Sequence, residues 1–219
     1  MDLPRVADLP RHRVIVALDI ECSTSRTDPV KAALRNKIYE LFDAALQSAG
    51  ICRRHRDRFM DRGDGVLALI HPVDQAPKAL LLTHAIPALS QLLTEYNVSL
   101  PRLSRPQRQL RVRIVVHAGE VNYDANGCFG EALDVAFRML DAAQVKRALQ
   151  AAASPLILVI SQEIYMSVVR HSYGGIDQGD FNPLIRVQLA GHRYPGWVHI
   201  PNVTTTTNLT EMTSYRQPA

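Results

Sequence analysis

The sharpest apolar signal along the chain is the uninterrupted run Val14 to Leu18, which stops at Asp19. A strand-sized run without polar alternation predicts a central strand buried on both faces, here with an acid at its C-terminal end. Polar residues Ser23, Thr24, Ser25 and Thr27 then lead to Asp28-Pro29 and to helical spacing through Leu34, Ile38, Leu41, Ala45 and Leu46, closed by Gly50. Arg56 to Arg62 reads as a second strand, Gly63-Asp64-Gly65 as a tight hairpin turn and Val66 to Ile70 as the return strand. Pro77 to Tyr96 predicts a second helix, with Leu80, Leu81, Ala85, Leu89, Leu92 and Leu93 facing inward. Asn97 to Arg108, broken by prolines, predicts an exposed loop, and Leu110 to Val121 a long strand. A turn over Asn122 to Gly127, a third helix over Gly130 to Leu149 and a strand over Pro155 to Ile160 follow, with Ser161 as the cap of a short helix carrying Glu163 in its first turn. Ile185 to Leu189 and Gly196 to Ile200 predict a terminal hairpin.

The order β-α-β-β-α-β, then α-β-α-β-β, places the chain in the α+β class. It predicts a ferredoxin-like split βαβ sandwich with a mostly antiparallel sheet and helices on one side. Residues 1–12 read as an N-terminal extension, 13–201 as one domain and 202–219 as a disordered tail. Many functions share this architecture, so function has to come from a site.

Composition narrows the choice. With 219 residues and 47% hydrophobic positions the chain is long enough for one domain with a full core. No signal peptide or membrane-length apolar stretch is visible, which points to a cytoplasmic protein without membrane contact. Three cysteines, Cys22, Cys52 and Cys128, have neither disulfide-framework nor zinc spacing and read as reduced thiols. The net charge of +4 and the arginine clusters at 53–62 and 102–113 suit an anionic small ligand. No helix-turn-helix or RNA-binding signature accompanies those clusters, which argues against nucleic acid.

Candidate chemistry centres on two carboxylates. Asp19 ends the first strand and Asp64 sits in the hairpin between the second and third. The split βαβ topology makes these strands neighbours, so both acids converge on one sheet edge. Two hard oxygen donors beside a polyphosphate suit a pair of divalent ions. The plainer account makes Asp19 a strand-end cap and Asp64 a turn residue.

Four segments carry a resemblance. Asp19-Ile20-Glu21-Cys22-Ser23-Thr24, Gly63-Asp64-Gly65-Val66-Leu67-Ala68, the strand Arg113 to Val121 and the helical run Gly130 to Met139 resemble, in order and spacing, the motifs of class III nucleotidyl cyclase catalytic domains. That resemblance implies a cyclase palm domain and a metal-dependent cyclisation of a nucleoside triphosphate. Asp19, Asp64 and the Ile20 carbonyl would hold two Mn²⁺ or Mg²⁺ ions. Cys22, Ser23 and Thr24 would cradle the phosphates, and Arg113 would reach the triphosphate. Arg138, with Asp134 on the same helix, would act at the reacting phosphate from the partner subunit of a homodimer with composite sites. Plainer roles are a surface position for Arg113, an i, i+4 ion pair for Asp134 and Arg138, and a structural role for His117.

The sequence also departs from the family pattern. Asp134 replaces an asparagine that orients the ribose. The two base-reading positions hold Met60 and Gly127, whose side chains carry no hydrogen-bond code for a purine. A hairpin lysine is absent, with Ala190 in its place and His192 or Arg193 as substitutes. The lost purine code favours a pyrimidine, UTP or CTP, and resembles the stand-alone bacterial uridylate and cytidylate cyclases that signal in phage defence. Arg56, Arg58 and Arg62 are further candidates for base contact. The alternatives are a degenerate cyclase-fold dimer that binds nucleotide and regulates a partner, and a purine cyclase. A diguanylate cyclase is excluded because its Gly-Gly-Asp/Glu-Glu-Phe turn is missing.

Overall fold

A computed structural model describes residues 9–201; the tail expected over 202–219 lies outside the described residues. Strand β1 (Arg11–Ile20) and helix α1 (Asp28–Ser48) are followed by the short β2 (Met60–Asp61) and by β3 (Gly65–Ile70). One helical rod then contains α2 (Lys78–Leu80), a π-helical turn (Leu81–Ala85) and α3 (Ile86–Ser99). After α4 (Arg105–Arg108), β4 (Val112–Asp124) and β5 (Gly127–Phe129) form a hairpin. Helices α5 (Glu131–Leu140) and α6 (Ala143–Ala151), strand β6 (Leu156–Ser161), helix α7 (Gln162–Ser167) and the hairpin β7 (Asn182–Leu189) and β8 (His192–His199) complete the order.

The sheet runs β2-β3-β1-β4-β6-β8-β7, with β5 paired to β4. Every pairing is antiparallel except β4 with β6. The first four strands reproduce the expected split βαβ order. The helices of that unit, α1 and α3, pack on one face over Val14, Val16 and Leu18. Two helices beyond it, α5 and α6, cover the other face over Ile15, Ala17 and Val115. The expected one-sided layer therefore holds for the split βαβ unit, while the second half of the chain adds helices opposite. This explains the unbroken apolar run at 14–18: alternate residues enter two different cores.

Several boundaries moved for physical reasons. The expected strand over 56–62 shrinks to Met60–Asp61 plus a single bridge from Arg56 to Ile70, because Arg56 turns inward, pairs with Asp43 and packs on the Phe59 ring. The second helix contains Pro87, which lacks an N–H and whose ring crowds the carbonyl four residues back. The chain meets this with the π turn over Leu81–Ala85. The third helix breaks at Asp141–Ala142, where Ala142 leaves helical geometry (ψ 134°), so that Val145 and Leu149 of α6 can enter the core that α5 already covers. The expected turn at 122–127 is narrower, because β4 continues to Asp124 and Gly127–Phe129 forms a strand. Ser161 stands at the helix-cap position but makes no side-chain cap bond, since its hydroxyl is engaged by His117. No helix among the described residues is long and apolar enough to cross a membrane.

Two glycines mark close approaches. A Cβ on Gly65 would lie 2.4 Å from the Leu18 carbonyl oxygen, so the Asp64 hairpin can lie against β1 only with glycine there. A Cβ on Gly119 would lie 2.7 Å from Ala132 Cβ, so Gly119 lets α5 settle onto β4.

Candidate active site

The register of the sheet assembles the site. Asp19 pairs with Gly65 on one side and with Arg113 on the other. The Ile20 N–H donates to the Asp64 carbonyl at 3.2 Å, which ties the hairpin to the end of β1. On the far side of the hairpin, Arg35 of α1 donates to the Asp61 carboxylate at 2.6 Å and also to the Gly63 carbonyl. Asp61 accepts the Gly63 N–H at 2.9 Å. The turn carrying Asp64 is thus clamped from outside, and Asp64 faces the cavity.

That cavity, about 280 Å³, is lined by Leu18, Asp19, Arg62, Asp64, Gly65, Phe137, Leu140 and Asp141. It brings together both acids predicted from the sequence and adds three residues that were not foreseen there: Phe137, Leu140 and Asp141. Reading one helix through to Leu149 hid Asp141, which stands at the break after Leu140 and lines the cavity while its exposed carboxylate pairs with Lys146. Burial raises the Asp19 carboxyl above its ordinary range. Arg113 opposes that shift through charge and a hydrogen bond, while Asp64 and Asp141 add to it. One carboxylate oxygen of Asp19 pairs with Arg113, and the other is buried without a hydrogen-bond partner among the described residues. An unmatched buried carboxylate oxygen beside a second acid fits a divalent cation, and the donors are the hard oxygens that Mg²⁺ and Mn²⁺ take. Among the described residues no group of three or more His, Cys, Asp or Glu side chains is placed to hold a metal by itself.

The other expected site residues fall in three places. Cys22 opens the turn in left-handed geometry (φ 55°) and is exposed with Thr24, whereas Ser23 is buried. This turn directly continues β1 past Asp19. Arg113 is buried against Asp19, with its Nε unpaired. Asp134 and Arg138 lie on the exposed side of α5 and do not line the cavity of their own chain; no ion pair joins them among the described residues. Their i, i+4 spacing therefore does not serve as a helix salt bridge here.

Met60 is half-buried, and its sulfur lies 3.3 Å from Cys128 Sγ. The residue across from Met60 is thus Cys128 rather than Gly127, because the β4–β5 register pairs Gly127 with Asp124 and leaves its neighbour to face the sheet. Burial pushes the Cys128 thiol up. His192 and Arg193 start β8 beyond the Ser161–Gly196 pair, at the end of the sheet away from Asp19, so neither can replace a lysine at the acids of the same chain.

Part of the arginine clusters is engaged within the fold. Arg56 pairs with Asp43, Arg111 with Glu21 and Arg113 with Asp19, while Arg105 donates to the Val98 and Leu100 carbonyls.

Structure comparison places this arrangement. Over 88% of the chain it is similar to 98% of an adenylate/guanylate cyclase/hydrolase from Silicibacter pomeroyi, with a TM-score of 0.58 at 18% identity. The fold is that of a class III cyclase catalytic domain. The guanylyl cyclase Cya2 aligns with a TM-score of 0.59 at 15% identity, over 90% of this chain and 96% of its own. The adenylyl cyclase CyaB from P. aeruginosa aligns at 0.56 and 14%, over 88% of this chain and 96% of its own. No protein-family model and no curated protein matches the sequence. The likeness is therefore one of fold, at 14% to 18% identity.

Proposed function

We propose that this cyclase-fold chain is a metal-dependent nucleotidyl cyclase that converts a nucleoside triphosphate, with a pyrimidine base preferred, into a 3′,5′-cyclic nucleotide and diphosphate. The observation that carries the reading is the convergence of Asp19 and Asp64 on one cavity at the end of β1, with one Asp19 oxygen buried and unmatched. Asp19, Asp64 and the Ile20 carbonyl would hold two Mg²⁺ or Mn²⁺ ions. When bound, such ions lower the pKa of a sugar hydroxyl and neutralise phosphate charge. The residues of the chain orient the substrate around them. The Cys22–Thr24 turn receives the phosphates, and Arg113 is free to turn from Asp19 to a phosphate once cations neutralise the acid. Leu18, Leu140 and Phe137 supply an apolar wall that keeps water from the reacting centre.

Arg138 and Asp134 point away from their own acids, which supports a homodimer in which each α5 serves the partner's site. Arg138 there stabilises charge developing at the reacting phosphate. Pyrimidine preference rests on Met60 and Cys128, sulfur groups that meet where a purine code would need strong polar groups. A role as a cytoplasmic signal in phage defence belongs to the same reading and draws on the resemblance to the stand-alone pyrimidine cyclases.

The test is incubation of purified protein with ATP, GTP, CTP and UTP, with Mn²⁺ or with EDTA, and mass spectrometry of the products. One metal-dependent cyclic pyrimidine nucleotide is expected. A cyclic purine as the main product would overturn the base assignment. No cyclic product from folded, dimeric protein would move the reading to a nucleotide-binding regulator, which the acid at Asp134 favours.

A further inference from the structure

The geometry points to Arg62 as the residue that reads the base, by donating to a ring carbonyl oxygen such as the O2 shared by uracil and cytosine. This inference rests on the nucleotide reading above and names the group that selects the substrate.

Four neighbouring strand ends present their functional residues in a row. In sheet order they are Arg62 just after β2, Asp64 before β3, Asp19 on β1 and Arg113 on β4. Three strand spacings make this row about 14 Å long, the scale of an extended nucleotide. The Cys22–Thr24 turn continues β1, and Arg113 is beside it, so the phosphates occupy the β1–β4 end. The nucleoside then extends toward β2, where Arg62 is the charged group in reach.

Arg62 is built for recognition and makes no ion pair or side-chain hydrogen bond among the described residues. Its guanidinium lies 4.3 Å from the centre of the Phe137 ring, so one planar face is held while the N–H edge stays free. Its backbone N–H donates to Gly65 at 3.1 Å, inside the clamped hairpin. Strand alternation puts Met60 on the same side as Arg62 and turns Asp61 to the opposite side, toward Arg35. Met60, on the same side as Arg62, meets Cys128, so that side presents sulfur, a weak acceptor. Arg62 is thus the strong donor at the β2 end of the cavity, whose carboxylates, Asp19, Asp64 and Asp141, belong to the acid end. Uracil and cytosine bring carbonyl oxygens to such a donor, and guanine brings one as well. Adenine has no carbonyl for the Arg62 fork to reach. Arg56 and Arg58 do not compete for this role: both line a different cavity, with Tyr39 and Glu40.

The experiment compares wild type with Arg62→Ala, Arg62→Lys and Phe137→Leu, measuring kcat/KM for the four triphosphates and, independently of turnover, their equilibrium binding by calorimetry. Arg62 is exposed, so its substitution leaves the fold intact, and circular dichroism checks the same for the half-buried Phe137. Arg62→Ala is expected to lower kcat/KM and affinity for the preferred pyrimidine at least tenfold while ATP changes less than twofold. Arg62→Lys should behave like the alanine variant, because the charge remains but the planar fork is gone. Phe137→Leu should lose about threefold with the same base dependence. Equal loss for all four triphosphates would overturn the inference by making Arg62 a phosphate contact, and unchanged ratios would overturn it outright. GTP falling in parallel with CTP and UTP would support the carbonyl contact and assign purine exclusion to Met60 and Cys128. Wild-type binding with base preference but without turnover would sink the cyclase reading and leave this inference standing. Failure of the wild type to bind any of the four would sink both.

Discussion

Helix α5 separates two cavities that differ in kind. On one flank lie Asp19, Asp64, Arg62 and Asp141 around about 280 Å³. On the other lie His117, Ser161, Met139, Met166 and Tyr194 around about 350 Å³. Size would choose the second, and charge chooses the first. In the first, a buried carboxylate oxygen has no partner among the described residues, and burial, with Asp64 and Asp141 adding to it, pushes the Asp19 carboxyl up against the opposing Arg113. In the second, the buried polar groups satisfy each other, His117 Nδ1 and Ser161 Oγ sharing a 2.8 Å hydrogen bond, while at the rim Glu163 pairs with Lys78 and Tyr194 donates to Glu131. Burial lowers the His117 pKa to about 4, so the ring is neutral and the pair needs no counter-ion. Unrelieved charge marks a place prepared for a ligand, whereas a closed hydrogen-bonded pair marks a part of the scaffold.

Mutations should separate the two flanks. The largest effect is expected for Asp19→Asn or Asp64→Asn, with cyclic product falling by more than about 10³-fold as two-metal chemistry is lost. Circular dichroism should show the fold retained. Activity surviving either change would erase the distinction between the cavities. Next, Arg138→Ala should lower kcat by about 10² to 10³, the usual scale for one transition-state donor. If the site is composite, mixing Arg138→Ala with Asp19→Asn protein restores part of the activity by forming one intact site per heterodimer. Failure to complement would return Arg138 to its own chain.

His117 should affect stability and not chemistry. Its folded pKa lies below the unfolded value of about 6.5, so the unfolded chain takes up the proton first as pH falls. Full stability is present above pH ~6.5, and up to ~3 kcal/mol is lost as pH drops toward 4. Glu163 works against this shift, while His12 and Lys78 add to it. Urea midpoints at pH 7 and pH 5 should therefore fall for wild type, and much less for His117→Phe. Equal falls in both would remove His117 as the cause. The smallest effect is expected at Tyr123, whose hydroxyl donates to Asp57 at 2.6 Å. Burial alone would raise the Asp57 carboxyl, but Tyr123, His71 and Arg13 together bring it below its ordinary value. Tyr123→Phe removes one of those donors and should cost about 1 kcal/mol in urea unfolding, with turnover unchanged.

Local pattern already determined much of this. The apolar run at 14–18, the Asp-Gly hairpin and the helical spacing at 30–49 are short-range signals, set by burial and turn geometry over a few residues. They were enough for the split βαβ order and for Asp19 beside Asp64, because that topology forces the neighbouring strands. Other features depended on contacts distant in sequence. Asp141 reaches the cavity because the core under β6 pulls α6 out of line with α5. Cys128 meets Met60 through the pairing of β5 with β4, and Arg62 gains its support from Phe137, 75 positions away. No periodicity reports such pairs, since their energy comes from packing between elements. The sequence by itself set which acids could meet. Only tertiary packing decided which arginine stands beside them and which remain in ion pairs of the scaffold.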